Sequence, residues 1–146
     1  MTMRVLVADD APDVAEVVAF GAQMCWPGCQ VSIATNGDEA LELFEKAYPN
    51  LVVLDIEMPK RDGFEVCKRL RADPATRDTF VLMITALDQP SDIDRAVDAG
   101  TNDFLTKPIN KTELLLRVKS GLESRRHKEQ LAQAIAYIEG VEQGKP

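Results

Sequence analysis

The sequence predicts an α/β domain in which one parallel sheet of five strands is covered by helices on both faces. Three observations carry this. Short apolar runs alternate with amphipathic stretches of helical period five times along the chain. Two of those runs, Leu51-Val52-Val53-Leu54 and Phe80-Val81-Leu82-Met83-Ile84, are continuously apolar, as strands buried on both sides are. The chain has 146 residues, of which 45% are hydrophobic and 28% charged. That composition suits one domain with a real core and a well-solvated surface.

The elements follow in order. Arg4-Val5-Leu6-Val7-Ala8 is the first strand, ending at Asp9-Asp10. Pro12 suits the first turn of a helix, with Val14, Val17, Val18 and Met24 as its apolar stripe and Pro27-Gly28 as its stop. Val31-Ser32-Ile33-Ala34 reads as the second strand. Asn36-Gly37-Asp38 opens a helix with Ala40, Leu41, Leu43, Phe44 and Ala47 on its inner face. The third strand, Leu51 to Leu54, stops at Asp55. Asp62-Gly63 leads into a helix that points Phe64, Val66, Cys67 and Leu70 inward. The fourth strand is stopped by Thr85. Ser91 is expected to cap the next helix, which Gly100 closes after Ala99. Asp103-Phe104-Leu105-Thr106 is a short fifth strand before Lys107-Pro108. Asn110 and Glu113 have the spacing of a capping box and open a long final helix.

Charge and cysteine usage exclude several classes. The net charge is −7, and residues 1–110 hold 19 acids against 10 bases. Direct nucleic-acid binding needs phosphate-neutralising Lys and Arg, so none is expected of this chain. The apolar runs are too short to span a bilayer, and no basic segment followed by an apolar run opens the chain. The expectation is a cytoplasmic domain with no membrane contact. Cys25, Cys29 and Cys67 lack the neighbours a metal site needs, since His127 is the single histidine; they read as free thiols.

The polar residues gather at strand ends. Asp9 and Asp10 follow the first strand, Asp55 ends the third, Thr85 the fourth, and Lys107 follows the fifth. Taken singly, an Asp after a strand is ordinarily a turn residue or cap, and a Lys is ordinarily a solvated surface group. In an open α/β sheet, however, ligands bind beyond the carboxyl ends of the strands. Three carboxylates crowded there repel one another unless a cation joins them. Oxygen-only ligation by few protein groups is what Mg²⁺ accepts. A carboxylate so held, next to Lys and Thr, can attack phosphorus and become an aspartyl phosphate.

These motifs, Asp9-Asp10, Asp55-Ile56-Glu57-Met58-Pro59, Thr85-Ala86 and Lys107-Pro108, resemble the full signature of response-regulator receiver domains of two-component signalling, over residues 3 to about 122. Asp62-Gly63 and Asp98-Ala99-Gly100 match that family's usual surroundings. The resemblance implies a flavodoxin-like, doubly wound sheet of order 2-1-3-4-5. It implies Asp55 as the phosphoacceptor, supplied by a sensor histidine kinase or a phosphotransfer protein. It implies Mg²⁺ held by Asp10 and Asp55, by Asp9 through water, and by the main-chain carbonyl of Glu57. Thr85 and Lys107 would contact the phosphoryl group, Phe104 would be the aromatic switch, and the peptide before Pro108 would be cis. The surface of the fourth helix, fifth strand and fifth helix would then control an output domain or partner. Such a switch catalyses its own phosphorylation and slow dephosphorylation and is not a metabolic enzyme. Thr101 and Asn102 depart from the family's usual small and acidic residues, and no functional change is attached to them.

The final helix is longer than a sheet-packing helix needs, which is about 12–15 residues at roughly 1.5 Å each. Leu115, Val118 and Leu122 make one apolar stripe, and Leu131, Ile135 and Ile138 another on a different seam. Between them lies Arg125-Arg126-His127-Lys128. Residues 1–123 are therefore expected to form the receiver, with 124–146 a helical extension or linker. The second seam predicts a parallel homodimer through the C-terminal helix, or docking on an output domain, against the blander reading of a solvated, frayed tail. Two other classes fit less well. An aspartate-nucleophile phosphohydrolase of the haloacid-dehalogenase type carries Asp-x-Asp on its first strand, unlike Asp9-Asp10-Ala11-Pro12. A nucleotide-binding switch needs a Gly-rich loop there.

Overall fold

The computed structural model describes residues 3–86 and 90–142, with the side chains of residues 126, 128, 129, 141 and 142 outside the description. Five strands, β1 (Arg4–Ala8), β2 (Gln30–Ala34), β3 (Leu51–Asp55), β4 (Phe80–Thr85) and β5 (Asp103–Thr106), alternate with α1 (Pro12–Cys25), α2 (Gly37–Ala47), α3 (Gly63–Ala72), α4 (Pro90–Ala99) and α5 (Lys111–Glu142). All pairings are parallel and the strand order is β2-β1-β3-β4-β5. This is the flavodoxin-like architecture expected.

Alternation along the strands divides the core. Val5, Val7, Leu51, Val53, Leu82 and Ile84 face α1 and α5, where Ala15, Val18, Leu114, Val118 and Leu122 cover them. Leu6, Ala8, Val52, Leu54, Val81 and Met83 face α2, α3 and α4. Because β3 is covered on both sides, each of its residues is buried. Every strand therefore runs the same way, and every carboxyl end emerges along one edge.

Caps and tight turns set where the helices start. The Asn36 and Asp62 side chains accept from Glu39 N and Glu65 N at 2.9 Å, capping α2 and α3. Gly63 sits against the chain below: a Cβ there would lie 2.7 Å from the Asp55 carbonyl oxygen and 2.8 Å from Ile56 Cα. The absent side chain lets α3 begin directly on the end of β3.

Three expectations are corrected. Met24 is 68% exposed, and the inner face of α1 is Ala15, Val18, Gly21 and Ala22. Helix α4 begins at Pro90, which places Ser91 inside its first turn; a proline at that position already carries the helical φ and has no N–H to satisfy. On α5 the fully buried stripe is Leu114, Val118 and Leu122, whereas Leu115 is half-buried and fills the space beside Gly21 of α1. Helix α5 then continues without a break through position 123. Beyond the Arg125 guanidinium, which donates to Asp78 O at 2.9 Å, Leu131, Ile135 and Ile138 are 61%, 46% and 54% exposed. Positions 143–146 of the expected extension lie outside the described residues. Among the described residues no helix is long and apolar enough to cross a membrane.

Candidate functional site

The carboxyl edge of the sheet assembles the residues singled out by their places in the sequence. Asp9 leaves β1 with its Oδ1 accepting from Ala11 N at 2.8 Å, which turns the chain into α1. Asp55 closes β3 in register with Ile84, one residue before Thr85 closes β4. Asp9, Asp55 and Thr85 are buried, and Asp10 beside them is exposed. Oxygen atoms of Asp9, Asp10 and Asp55 all lie within 4.8 Å of one another.

Lys107 reaches this group from the end of β5. Its N–H donates to Thr85 O at 2.7 Å, and its Nζ donates to Asp55 Oδ2 at 3.0 Å. The Lys107–Pro108 peptide is cis. The other Asp55 oxygen, Oδ1, accepts from Glu57 N at 3.0 Å. Asp55 is thus oriented by one ammonium and one backbone amide, with its carboxylate turned toward Asp9 and Asp10.

The electrostatics leave this arrangement short of positive charge. Burial lifts the Asp9 carboxyl from 3.8 to about 6; the Ala11 amide opposes the shift, Asp55 and Asp10 add to it, and Lys107 opposes it. Asp9 Oδ2 is buried and has no hydrogen-bond partner among the described residues. Burial alone would lower the Lys107 pKa, but the hydrogen bond and charge of Asp55, with the charges of Asp9 and Glu57, hold it above the ordinary lysine value. A buried, unpartnered carboxylate oxygen beside two more carboxylates is an oxygen-only donor set. It fits a hard divalent cation, and the cluster is a candidate metal site.

Two further expected residues lie beside this group. Phe104 is half-buried and packs against the core that contains residues of α2, α3 and α4. Glu57 enters through its amide, and also through its side chain, whose Oε1 accepts from Ala86 N at 3.0 Å. Residue spacing gave no signal of that side-chain bond, which joins the loop after β3 to the residue after Thr85. Arg71 and Asn102 were likewise unforeseen. The Arg71 guanidinium donates to Gly100 O, Arg77 O, Thr79 O and Asn102 Oδ1, clamping the loops before β4 and β5 at the amino edge of the sheet, opposite the site. His127 lies on the exposed part of α5, apart from the site.

The chain is similar to known proteins over most of its length. The family model of the response regulator receiver domain matches residues 5–119. The DNA-binding dual master transcriptional regulator RpaA of Synechocystis is 39% identical over 141 residues, covering 97% of this chain and 56% of the relative. Response regulator PleD of Caulobacter vibrioides is 41% identical over 120 residues, covering 82% of this chain and 26% of the relative. This chain therefore spans about half the length of the first relative and a quarter of the second. Among solved structures, the receiver domain of Francisella response regulator 1452 is 31% identical and superposes with a TM-score of 0.72, covering 84% of this chain and 98% of that one. The matched span contains the whole carboxyl edge from Asp9 to Lys107, and the chain belongs to the response regulator receiver domain family.

Proposed function

We propose that this domain is a phosphorylation switch in which Asp55 accepts a phosphoryl group from a phosphohistidine of a sensor kinase or phosphotransfer protein. The observation that carries this reading is the buried Asp55 carboxylate, held by Lys107 Nζ and Glu57 N and facing two further carboxylates. An Asp55 oxygen forms the new bond to phosphorus. The P–N bond to the donor imidazole breaks, with the electron pair staying on nitrogen. Asp9, Asp10 and Asp55, with the Glu57 carbonyl, would hold Mg²⁺. When bound, the ion offsets negative charge on the carboxylates and on the transferring oxygens.

The chain's own groups do the rest. Lys107 remains protonated, as its raised pKa requires, and pairs with a phosphoryl oxygen. Thr85, buried at the end of β4, presents its hydroxyl to another. Movement of Thr85 toward the phosphoryl group draws Phe104 further inward and alters the α4–β5–α5 surface, which acts on an output domain or partner. The domain catalyses its own phosphorylation and slow dephosphorylation and turns over no metabolite. Residues 1–123 form the receiver and 124–146 the extension. The exposed seam of Leu131, Ile135 and Ile138 pairs with a second copy, or else docks on an output domain of the kind that relatives longer than this chain have room for.

Incubation with acetyl phosphate and Mg²⁺ tests the reading. One phosphoryl group is expected per chain by intact mass, and none on Asp55→Asn. A phosphomonoester assay separates the alternative: steady turnover would identify a phosphohydrolase.

A further inference from the structure

Helix α4 is held to α3 by side-chain bonds. At its C-terminal end two side chains of α3 take main-chain oxygens. Cys67 Sγ donates to Ala99 O at 3.2 Å, and Arg71 Nε donates to Gly100 O at 2.9 Å. The same guanidinium donates through Nη1 to Arg77 O at 2.7 Å and Thr79 O at 2.6 Å, and through Nη2 to Asn102 Oδ1 at 2.7 Å. Asn102 Oδ1 also accepts from Val81 N at 2.7 Å, so one amide oxygen links the clamp to the start of β4. The backbone closes the same corner: Gly100 N donates to Val97 O, Thr101 N to Ala96 O and Asn102 N to Val81 O. Gly100 has φ 92, and a Cβ there would lie 3.0 Å from Arg71 Cγ, so the turn and the arginine stem are fitted to each other.

Along α4, Ile93 is 45% exposed and Val97, in the last turn, 65%, and the Arg95 guanidinium rests over the Phe64 ring at 4.2 Å. That non-directional contact tolerates sliding, whereas the four guanidinium bonds do not. Arginine suits such a clamp because its donors are set in a rigid planar fork, and a lysine ammonium cannot span the same acceptors.

We propose that Arg71 is a positioning residue that pins the C-terminal end of α4, so that movement begun at Thr85 turns the helix about Ala99–Gly100 and does not shift it bodily. The phosphorylation reading supplies only what starts the movement; the pin stands on the geometry around Arg71. Arg71 touches none of the reacting groups, so phosphoryl uptake by its variants is unchanged.

The test is amide hydrogen exchange on the full chain with Mg²⁺, with and without acetyl phosphate, and phosphoryl uptake read separately by intact mass. In the wild type, phosphorylation changes exchange in residues 90–97 and leaves the amides of Gly100, Thr101 and Asn102 as they were. In Arg71→Lys those three amides exchange about tenfold faster or more even without donor, the scale of losing charge-assisted bonds. Phosphorylation of that variant then alters both segments. Asn102→Asp keeps the acceptor and behaves as the wild type, while Asn102→Ala moves toward Arg71→Lys; this pair carries the comparison if Arg71→Lys fails to fold. Equal phosphorylation-induced change at 90–97 and 98–103 in the wild type overturns the pin, as does unchanged exchange at the three amides in Arg71→Lys. Absence of phosphoryl uptake would count against the reading of the site, and the donor-free comparison would still decide the pin.

Discussion

At the carboxyl edge of the sheet, Asp9 is buried with one oxygen unpartnered and Asp55 is shared between an ammonium and an amide. Beyond Arg125, α5 leaves Leu131, Ile135 and Ile138 in water. The first region has too much buried charge, and the second too much exposed hydrocarbon. Each departs from what an isolated domain would select for stability, and the proposed function would complete the first with a cation and a phosphoryl group and the second with an apolar partner. The edge is rigid because it is set on buried strands, so its departure is stored as electrostatic energy. The outer helix is mostly exposed among the described residues, and its departure costs little.

Substitutions along α5 sharpen the contrast most. Leu114→Ala removes a fully buried side chain from the inner half and is expected to cost about 2–5 kcal/mol in denaturant unfolding. Leu131→Ala, on the outer half, is expected to change stability by no more than about 0.5 kcal/mol. Equal costs would show that the outer half is packed as firmly as the inner.

The charge stored at the edge comes next. Asp9 titrates at about 6 in the fold against 3.8 when free. At neutral pH that difference amounts to a penalty on the order of 3 kcal/mol in the metal-free state. The folded pKa is the higher one. The contribution of protonated Asp9 is therefore fully present below about pH 4 and is lost as pH rises through about 6. Asp9→Asn is expected to raise the metal-free melting temperature at pH 7 and to flatten this part of the pH profile. Millimolar Mg²⁺ is expected to stabilise the wild type increasingly as pH rises through 6, since the ion and the proton compete for the same oxygens. A melting temperature indifferent to Mg²⁺ at pH 7 would remove the metal from the site.

The smallest effect on stability is expected from the tail. Truncation after Ser124 is expected to leave the melting temperature of the domain nearly unchanged, while sedimentation at micromolar concentration shifts from dimer to monomer. Equal monomer masses for both chains, with and without acetyl phosphate, would leave the outer helix as a linker.

Most of this was legible in the sequence because the site residues are placed by periodicity. Strand lengths put Asp9, Asp55, Thr85 and Lys107 at ends, and parallel strands put those ends on one edge. What was not legible depends on rotation and on distant encounters. Leu114-Leu115-Leu116 offers three helical phases to one stripe, and only packing against Gly21 of α1 separates Leu114 from Leu115. Met24 continues the apolar spacing of α1 but falls on the solvent side. The Glu57 bond to Ala86 N and the Arg71 bonds to Gly100 and Asn102 join residues 29 to 31 positions apart, with no local pattern to announce them.

The central claim is that Asp55 receives the phosphoryl group. An acyl phosphate is reduced by borohydride to an alcohol, which would convert the modified aspartate to homoserine. After acetyl phosphate, Mg²⁺ and borohydride, peptide sequencing by tandem mass spectrometry is predicted to find homoserine at position 55 and nowhere else. Homoserine at Asp9 or Asp10, or stoichiometric phosphoryl labelling that persists in Asp55→Asn, would contradict the account.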